Sequence, residues 1–197
     1  MDINMFNIPL TVYKCSWWSS KKERLLRHID TVDMVQGDEQ VLSDYRGDNS
    51  YINTISDILT DELSWFANDY KCNPHIVRAW YERALPYMYH PIHNHGHGGY
   101  SAVLFIEYNK HYHRPTNFIA PFDHFITGEQ LNYEPEVEEG DLILFPSFLH
   151  HYTHPHTSEQ RRTVLSFNIT VDMDNIPLSW TDNKPTQRVD TTPHNTL

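Results

Sequence analysis

Cysteine is close to absent from this chain. Cys15 and Cys72 are its only two, far apart in 197 residues and in no Cys-x-x-Cys pair. That excludes a disulfide framework and a thiolate zinc site, and it makes the reduced cytoplasm the expected compartment. Basic residues are scarce as well: 15 Lys and Arg stand against 26 Asp and Glu, a net charge of -11, and no local Lys/Arg cluster offsets it. Nucleic acid and acidic membranes are bound by basic patches that neutralise phosphates, so neither is an expected partner. No apolar run approaches the ~18 residues of a membrane span. Met1 to Leu10, with Asp2, two asparagines and Pro9, shows neither the basic nor the apolar segment of a secretion signal. A soluble, unsecreted protein is the expectation.

What is present suits one globular domain: 39% of residues are hydrophobic and 13% aromatic, enough for a sizeable core. Leu10 to Lys14 alternates as a short strand, and Ser19 or Ser20 offers an N-cap to a helix carrying Leu25, Leu26 and Ile29. After an acidic, loop-like stretch from Gly37 to Asp48, residues from Ile52 to Phe66 recur at helical spacing from a cap near Asn49 or Ser50. This spacing predicts one amphipathic helix lying on a sheet. From Pro74 the texture becomes short β-rich runs: His75–Trp80, Tyr87–His93, Gly99–Tyr108, Asn117–Ala120, Asp141–Phe145, Tyr152–His156 and Arg162–Val171. Strands at such intervals suggest a sandwich or small barrel, with the earlier helices packed outside it in α+β fashion. The expected organisation is a single domain over residues 1–171, with helical support at 19–69 and a β-core at 74–171. A polar, Pro-rich tail fills 172–197.

Eleven of the fourteen histidines fall between His90 and His156. Most read as surface or hydrogen-bonded loop residues, including His111, His113, His124, His154 and His156. Two patterns stand apart. His93-Asn94-His95 precedes a strand-like run, and in an extended chain residues i and i+2 point to one face, so both imidazoles can reach one ion. Phe145-Pro146-Ser147-Phe148-Leu149-His150-His151 ends a strand introduced by Glu139-Gly140-Asp141, which places His150 or His151 at the mouth of the β-core. Three protein ligands on one face leave coordination positions open. Glycines 96, 98 and 99 suggest a turn after His95 that leaves His97 on a loop. Further on, Arg162 begins the apolar strand Arg162-Thr163-Val164-Leu165-Ser166-Phe167-Asn168. A buried Arg requires an anionic partner, met either by an Asp or Glu of this acidic chain or by the carboxylate of a bound ligand.

Taken together, His93-x-His95 with Ser101-Ala102-Val103, Glu139-Gly140-Asp141 leading into Phe145-Pro146-Ser147-x-Leu149-x-His151, and Arg162 leading into Ser166-Phe167-Asn168-Ile169 resemble the Fe(II)/2-oxoglutarate-dependent oxygenases. More narrowly, they resemble the prolyl 4-hydroxylase-like group of oxygenases from marine bacteria and their tailed phages. The resemblance runs from about Trp80 to Val171. It implies a double-stranded β-helix (jelly-roll, cupin-like) core, Fe(II), O2 and 2-oxoglutarate as co-substrate, and hydroxylation with release of succinate and CO2. The substrate would be a prolyl or other protein residue or a small metabolite, in the host cytoplasm if the chain is phage-encoded. Carried over, His93 is the first metal ligand, His151 the distal one, and Arg162 the partner of the 2-oxoglutarate C5 carboxylate. Ser166 would be a second contact to that carboxylate, and Tyr89 would lie in the co-substrate pocket.

One position departs from the family, which has an Asp or Glu where this chain has His95. Three accounts follow: a three-histidine site of His93, His95 and His151; a carboxylate such as Glu107, of the same strand parity as Ser101, Val103 and Phe105; or two protein ligands only. The i, i+2 geometry favours the first. Zinc or nickel, which bind such donors more tightly than Fe(II), are expected in the protein as isolated. The rival readings are a three-histidine cupin-type dioxygenase without 2-oxoglutarate, and a non-catalytic metal-binding β-module.

Overall fold

Arg162–Val171 forms a strand whose first six residues are all buried, so the sheet around it must be covered on both faces. It is the eleventh strand, β11, of a computed structural model that describes residues 8–37, 40–48 and 50–172. Asn49 and residues 173–197, which include nearly all of the expected tail, lie outside the described residues. In chain order the elements are β1 (Thr11–Lys14), α1 (Trp18–Ile29), β2 (Val35–Gln36), β3 (Leu42–Ser43), α2 (Ile52–Ile58) and α3 (Thr60–Tyr70). There follow β4 (Pro74–Ala84), β5 (His90–His93), β6 (Tyr100–Glu107), β7 (Thr116–Asp123), β8 (Gln130–Tyr133), β9 (Asp141–Pro146), β10 (His151–Thr153) and β11.

Two antiparallel sheets result. The major sheet runs β1-β9-β6-β11-β4-β3-β2 and the minor sheet β5-β10-β7-β8. Without the N-terminal additions β1, β2 and β3, this is a four-on-four jelly roll, the expected double-stranded β-helix. Alternation along each strand divides the core. Tyr81, Leu104, Leu165 and Phe167 face the helices, where Leu25, Ile55, Leu59 and Phe66 cover them. Val103, Phe105, Ile143, Phe145 and Val164 face the minor sheet and pack on Phe118 and Leu149. No helix among the described residues is long and apolar enough to cross a membrane.

The helical region differs from expectation in three places. First, α1 begins at Trp18, ahead of the serines, because the Trp18 indole packs on Gly140, where a Cβ would meet it at 2.9 Å. Second, the single amphipathic helix is two. They part at Leu59 (φ -101°, ψ 21°), and the Thr60 hydroxyl there donates to the carbonyls of Ser56 and Asp57 at 3.1 and 3.0 Å. Third, part of the acidic stretch is not loop, since β2 and β3 extend the major sheet beside β4. The edge strand β8, fully exposed and so without alternation to betray it, also had no signal in the sequence.

Helices α1 and α3 are joined by a buried ion pair: Lys21 Nζ lies 2.7 Å from Glu62 Oε2, and Glu62 Oε1 also accepts the Ser16 backbone N–H at 2.9 Å. Removing Glu62 would leave the buried Lys21 ammonium only the Ser16 hydroxyl at 3.0 Å and the longer contact to Asp61 at 3.4 Å. Glu62→Ala is therefore expected to lower unfolding free energy by roughly 3–5 kcal/mol. Urea denaturation checks this, and an unchanged midpoint would contradict it.

Candidate metal centre

Strand β5 carries Pro91, which has no N–H to give to a ladder, and the ladder breaks register there. His93 pairs opposite His151 and His90 opposite Thr153, so β5 spends one more residue than β10 over the same span. This bulge turns His90 and His93 to the same inner face, which simple alternation would forbid. His95 follows immediately, and its backbone N–H donates to the Ser147 carbonyl at 2.9 Å. Ser147 in turn exchanges a hydrogen bond with Ser101 at 2.9 Å, and the Ser101 hydroxyl reaches Asn168 Oδ1 at 2.9 Å. The three sequence segments that resembled one family thus meet in one polar knot that holds the His95 backbone.

The result is a cluster of His93, His95 and His151 whose donor nitrogens all lie within 4.8 Å of one another. Two tautomers follow from the hydrogen bonds. His93 Nδ1–H donates to the Pro91 carbonyl (2.8 Å) and His151 Nδ1–H to the Leu149 carbonyl (2.9 Å), so on both rings Nε2 carries the lone pair. His95 Nε2 and His151 Nε2 are 3.2 Å apart. Metal–nitrogen bonds of about 2.1 Å meeting near a right angle place their nitrogens about 3 Å apart, so the pair fits a single first-row ion. Burial, with the neighbouring imidazoles acting the same way, pushes His95 down to about 4 and His151 well below its ordinary value. Both are neutral at physiological pH, as ligands must be.

The same cavity is lined by Arg162, 3% exposed. Its Nη2 has only a long contact to Thr116 Oγ1, 3.5 Å, and its buried Nε has no hydrogen-bond partner. Among the described residues no carboxylate lies within ion-pair distance of it, although the guanidinium sits over the Phe105 ring at 5.3 Å. Burial pushes it down to about 10, so it stays charged at neutral pH. Among the described residues, Glu82 in the same cavity acts on this cation only at a distance, which leaves the guanidinium able to take a further anion. Ser166, on the same face, lines the cavity.

Two expectations are corrected. Glu107 does not face the cavity: opposite Thr163–Val164, β6 holds an extra residue, and this second bulge turns Glu107 to the outer face. There it binds Arg161 Nε at 2.9 Å and the Thr163 hydroxyl. Tyr89, 43% exposed, is not in the cavity wall, because the chain before it turns through Tyr87 at φ 67°. His97 is exposed, and His150 points outward to Asn94 at 3.1 Å. Two cavity residues had no role in the sequence reading: buried Glu82 and half-buried His90, linked at 3.2 Å.

Residues 78–168 match the model of the family described as "Putative 2OG-Fe(II) oxygenase". The HygX structure from Streptomyces hygroscopicus, with nickel, 2-oxoglutarate and hygromycin B bound, is 13% identical; the alignment covers 83% of each chain at a TM-score of 0.62. A prolyl-4-hydroxylase from Pseudomonas putida is 12% identical over 83% of this chain and 92% of its own, at a TM-score of 0.53. The viral collagen prolyl hydroxylase of Paramecium Bursaria Chlorella virus-1, a 2-oxoglutarate complex, is 12% identical over 81% and 94%, at 0.55. The fold is that of the 2-oxoglutarate- and iron-dependent oxygenases. The matched family is described as one of oxygenases, and the match spans 91 of the 197 residues. No curated protein sequence matches the chain.

The depressed imidazoles give the metal-free protein a pH signature. His95 and His151 are neutral when folded and recover ordinary proton affinity, near 6.5, on unfolding. The unfolded chain then binds more protons below pH 6.5, so stability falls as pH drops from 6.5 toward 4 and levels only below the folded values. Urea midpoints across that range are expected to fall with acidification, and His95→Gln to make the slope shallower. An unchanged slope in the variant would refute the assignment.

Proposed function

We propose that the protein is an Fe(II)- and 2-oxoglutarate-dependent dioxygenase that hydroxylates its substrate and releases succinate and CO2. The observation that carries this reading is Arg162, a buried guanidinium with a partnerless Nε in the same cavity as three convergent imidazoles. His93, His95 and His151 hold Fe(II) through their ring nitrogens. When bound, the metal supplies O2 activation coupled to oxidative decarboxylation of the co-substrate, one oxygen atom entering succinate and the other the product. Arg162 takes the far carboxylate of 2-oxoglutarate in its planar fork, and the Thr116 and Ser166 hydroxyls stand beside it. Val103 and Val164 line the same cavity and give it apolar wall. A three-histidine dioxygenase without 2-oxoglutarate, or a passive metal module, gives Arg162 nothing to bind.

The substrate is a prolyl or other protein residue or a small metabolite, in keeping with neighbours named as prolyl hydroxylases and one holding hygromycin B. The net charge of -11 favours a neutral or basic one. Zinc or nickel occupies the site on isolation, since both outrank Fe(II) in affinity.

Purified protein with Fe(II) is expected to convert 2-oxoglutarate to succinate, and Arg162→Ala to lose at least about 100-fold of that turnover, the scale of an unpaired buried charge-assisted contact. His93→Ala and His151→Ala are expected to abolish Fe(II) binding in equilibrium dialysis, while His97→Ala keeps it. Wild-type protein that binds metal but neither binds nor consumes 2-oxoglutarate would overturn the proposal.

A further inference from the structure

Three imidazoles around a divalent ion leave the centre one unit more positive than two imidazoles and a carboxylate would. The cavity nevertheless contains a carboxylate. Glu82 on β4 faces inward opposite Val164 and is 7% exposed. Its Oε1 accepts the Trp80 indole N–H at 2.7 Å, and its Oε2 lies 3.2 Å from His90 Nδ1. The His90 ring stacks on His93 with centroids 3.9 Å apart at 19°, while the Trp80 ring lies 5.3 Å from His95. Glu82 is therefore fixed behind two of the three clustered imidazoles, one through each of its oxygens, without belonging to the cluster itself. Burial works against its charge, but His90, Trp80 and His93 outweigh that and hold the carboxyl below its ordinary range.

With the imidazoles counted as neutral, Glu82 and Arg162 are the charged side chains that line the cavity. A divalent metal, Arg162 and Glu82 sum to +2, which a dicarboxylate dianion neutralises. A site with an aspartate ligand and no Glu82 has the same sum. We propose that Glu82 is the anion of this centre: from the cavity wall it supplies the negative charge that a ligand carboxylate would bring, and so sets the balance between affinity for the divalent cation and for the dicarboxylate. It is a positioning and charge-setting residue, acting through His90 and Trp80. For its dicarboxylate half the proposal rests on the 2-oxoglutarate reading; its metal half does not.

A charge role and a structural role differ in sign. Glutamine preserves the shape and can both accept from Trp80 and donate to His90, so Glu82→Gln removes charge with little else. Ni(II) affinity, measured anaerobically by competition with a chromophoric chelator, is expected to weaken by roughly 10- to 100-fold. Binding of 2-oxoglutarate to the Ni(II)-loaded protein, measured by calorimetry, is expected to tighten by roughly tenfold as a buried repulsion is lost. Glu82→Asp should stay close to wild type on both. His95→Asp, which adds a second negative charge, should move both in the opposite direction to Glu82→Gln, and it keeps the test decisive if the first variant does not fold. The double variant, with charge moved from wall to cluster, should return toward wild type. Weakening of both ligands in Glu82→Gln, or no change in either, overturns the proposal. Wild-type protein that binds Ni(II) but no 2-oxoglutarate would instead sink the dioxygenase reading, and the metal arm would still decide Glu82.

Discussion

A strand has a period of two, and every residue of this site faces inward or outward by that rule and by two exceptions to it. Strand β11 lies between β4 and β6, so one face of the major sheet presents Arg162, Val164 and Ser166 to the cavity together with Glu82 and Val103. The minor sheet brings His151 opposite His93. At Pro91 the ladder gains a residue and His90 joins His93; at Ile106 it gains another and Glu107 leaves the cavity. A one-residue slip reverses the face of every side chain beyond it. The composition of the site is therefore a consequence of where the ladders bulge.

Electrostatics explains why such a cavity holds together with so few charges. Two oppositely charged side chains share a space from which water is largely excluded, each fixed by neutral donors and rings rather than by the other. Glu82 favours the charged form of Arg162 at a distance, while burial keeps His95 and His151 neutral. Among the described residues other buried or half-buried carboxylates are directed elsewhere, Glu107 to Arg161 and Glu62 to Lys21.

The motif residues divide into those that touch the ligand space and those that position the backbone beneath it. Ser101, Ser147 and Asn168 come from three separate strands or strand ends and bond to one another, and the Ser147 carbonyl holds His95. Phe145 and Phe118 flank His151 with ring centroids at 4.8 and 5.9 Å, which limits its rotamer as its Nδ1–H limits its tautomer. A metal site needs this rigidity, because donor nitrogens even 1 Å out of place lose the shared ion.

Much of this was legible in the amino-acid sequence. Alternating and periodic apolar residues predicted the β-core from Pro74 and the helices before it, because burial of one face imposes its period on the chain. Local geometry brought His93 and His95 to one face, and the family resemblance added His151, Arg162 and Ser166, which line the same cavity. Tertiary structure alone decided the rest. Parity placed Glu107 inward, and only the register of β6 against β11 shows the bulge that reverses it. Glu82 and His90 carry no motif, and their pairing joins two strands through contacts that neither segment encodes by itself. Sequence specifies period, composition and local reach; the registry between strands distant along the chain arises only when they pack, and it determined which carboxylate faces the metal centre.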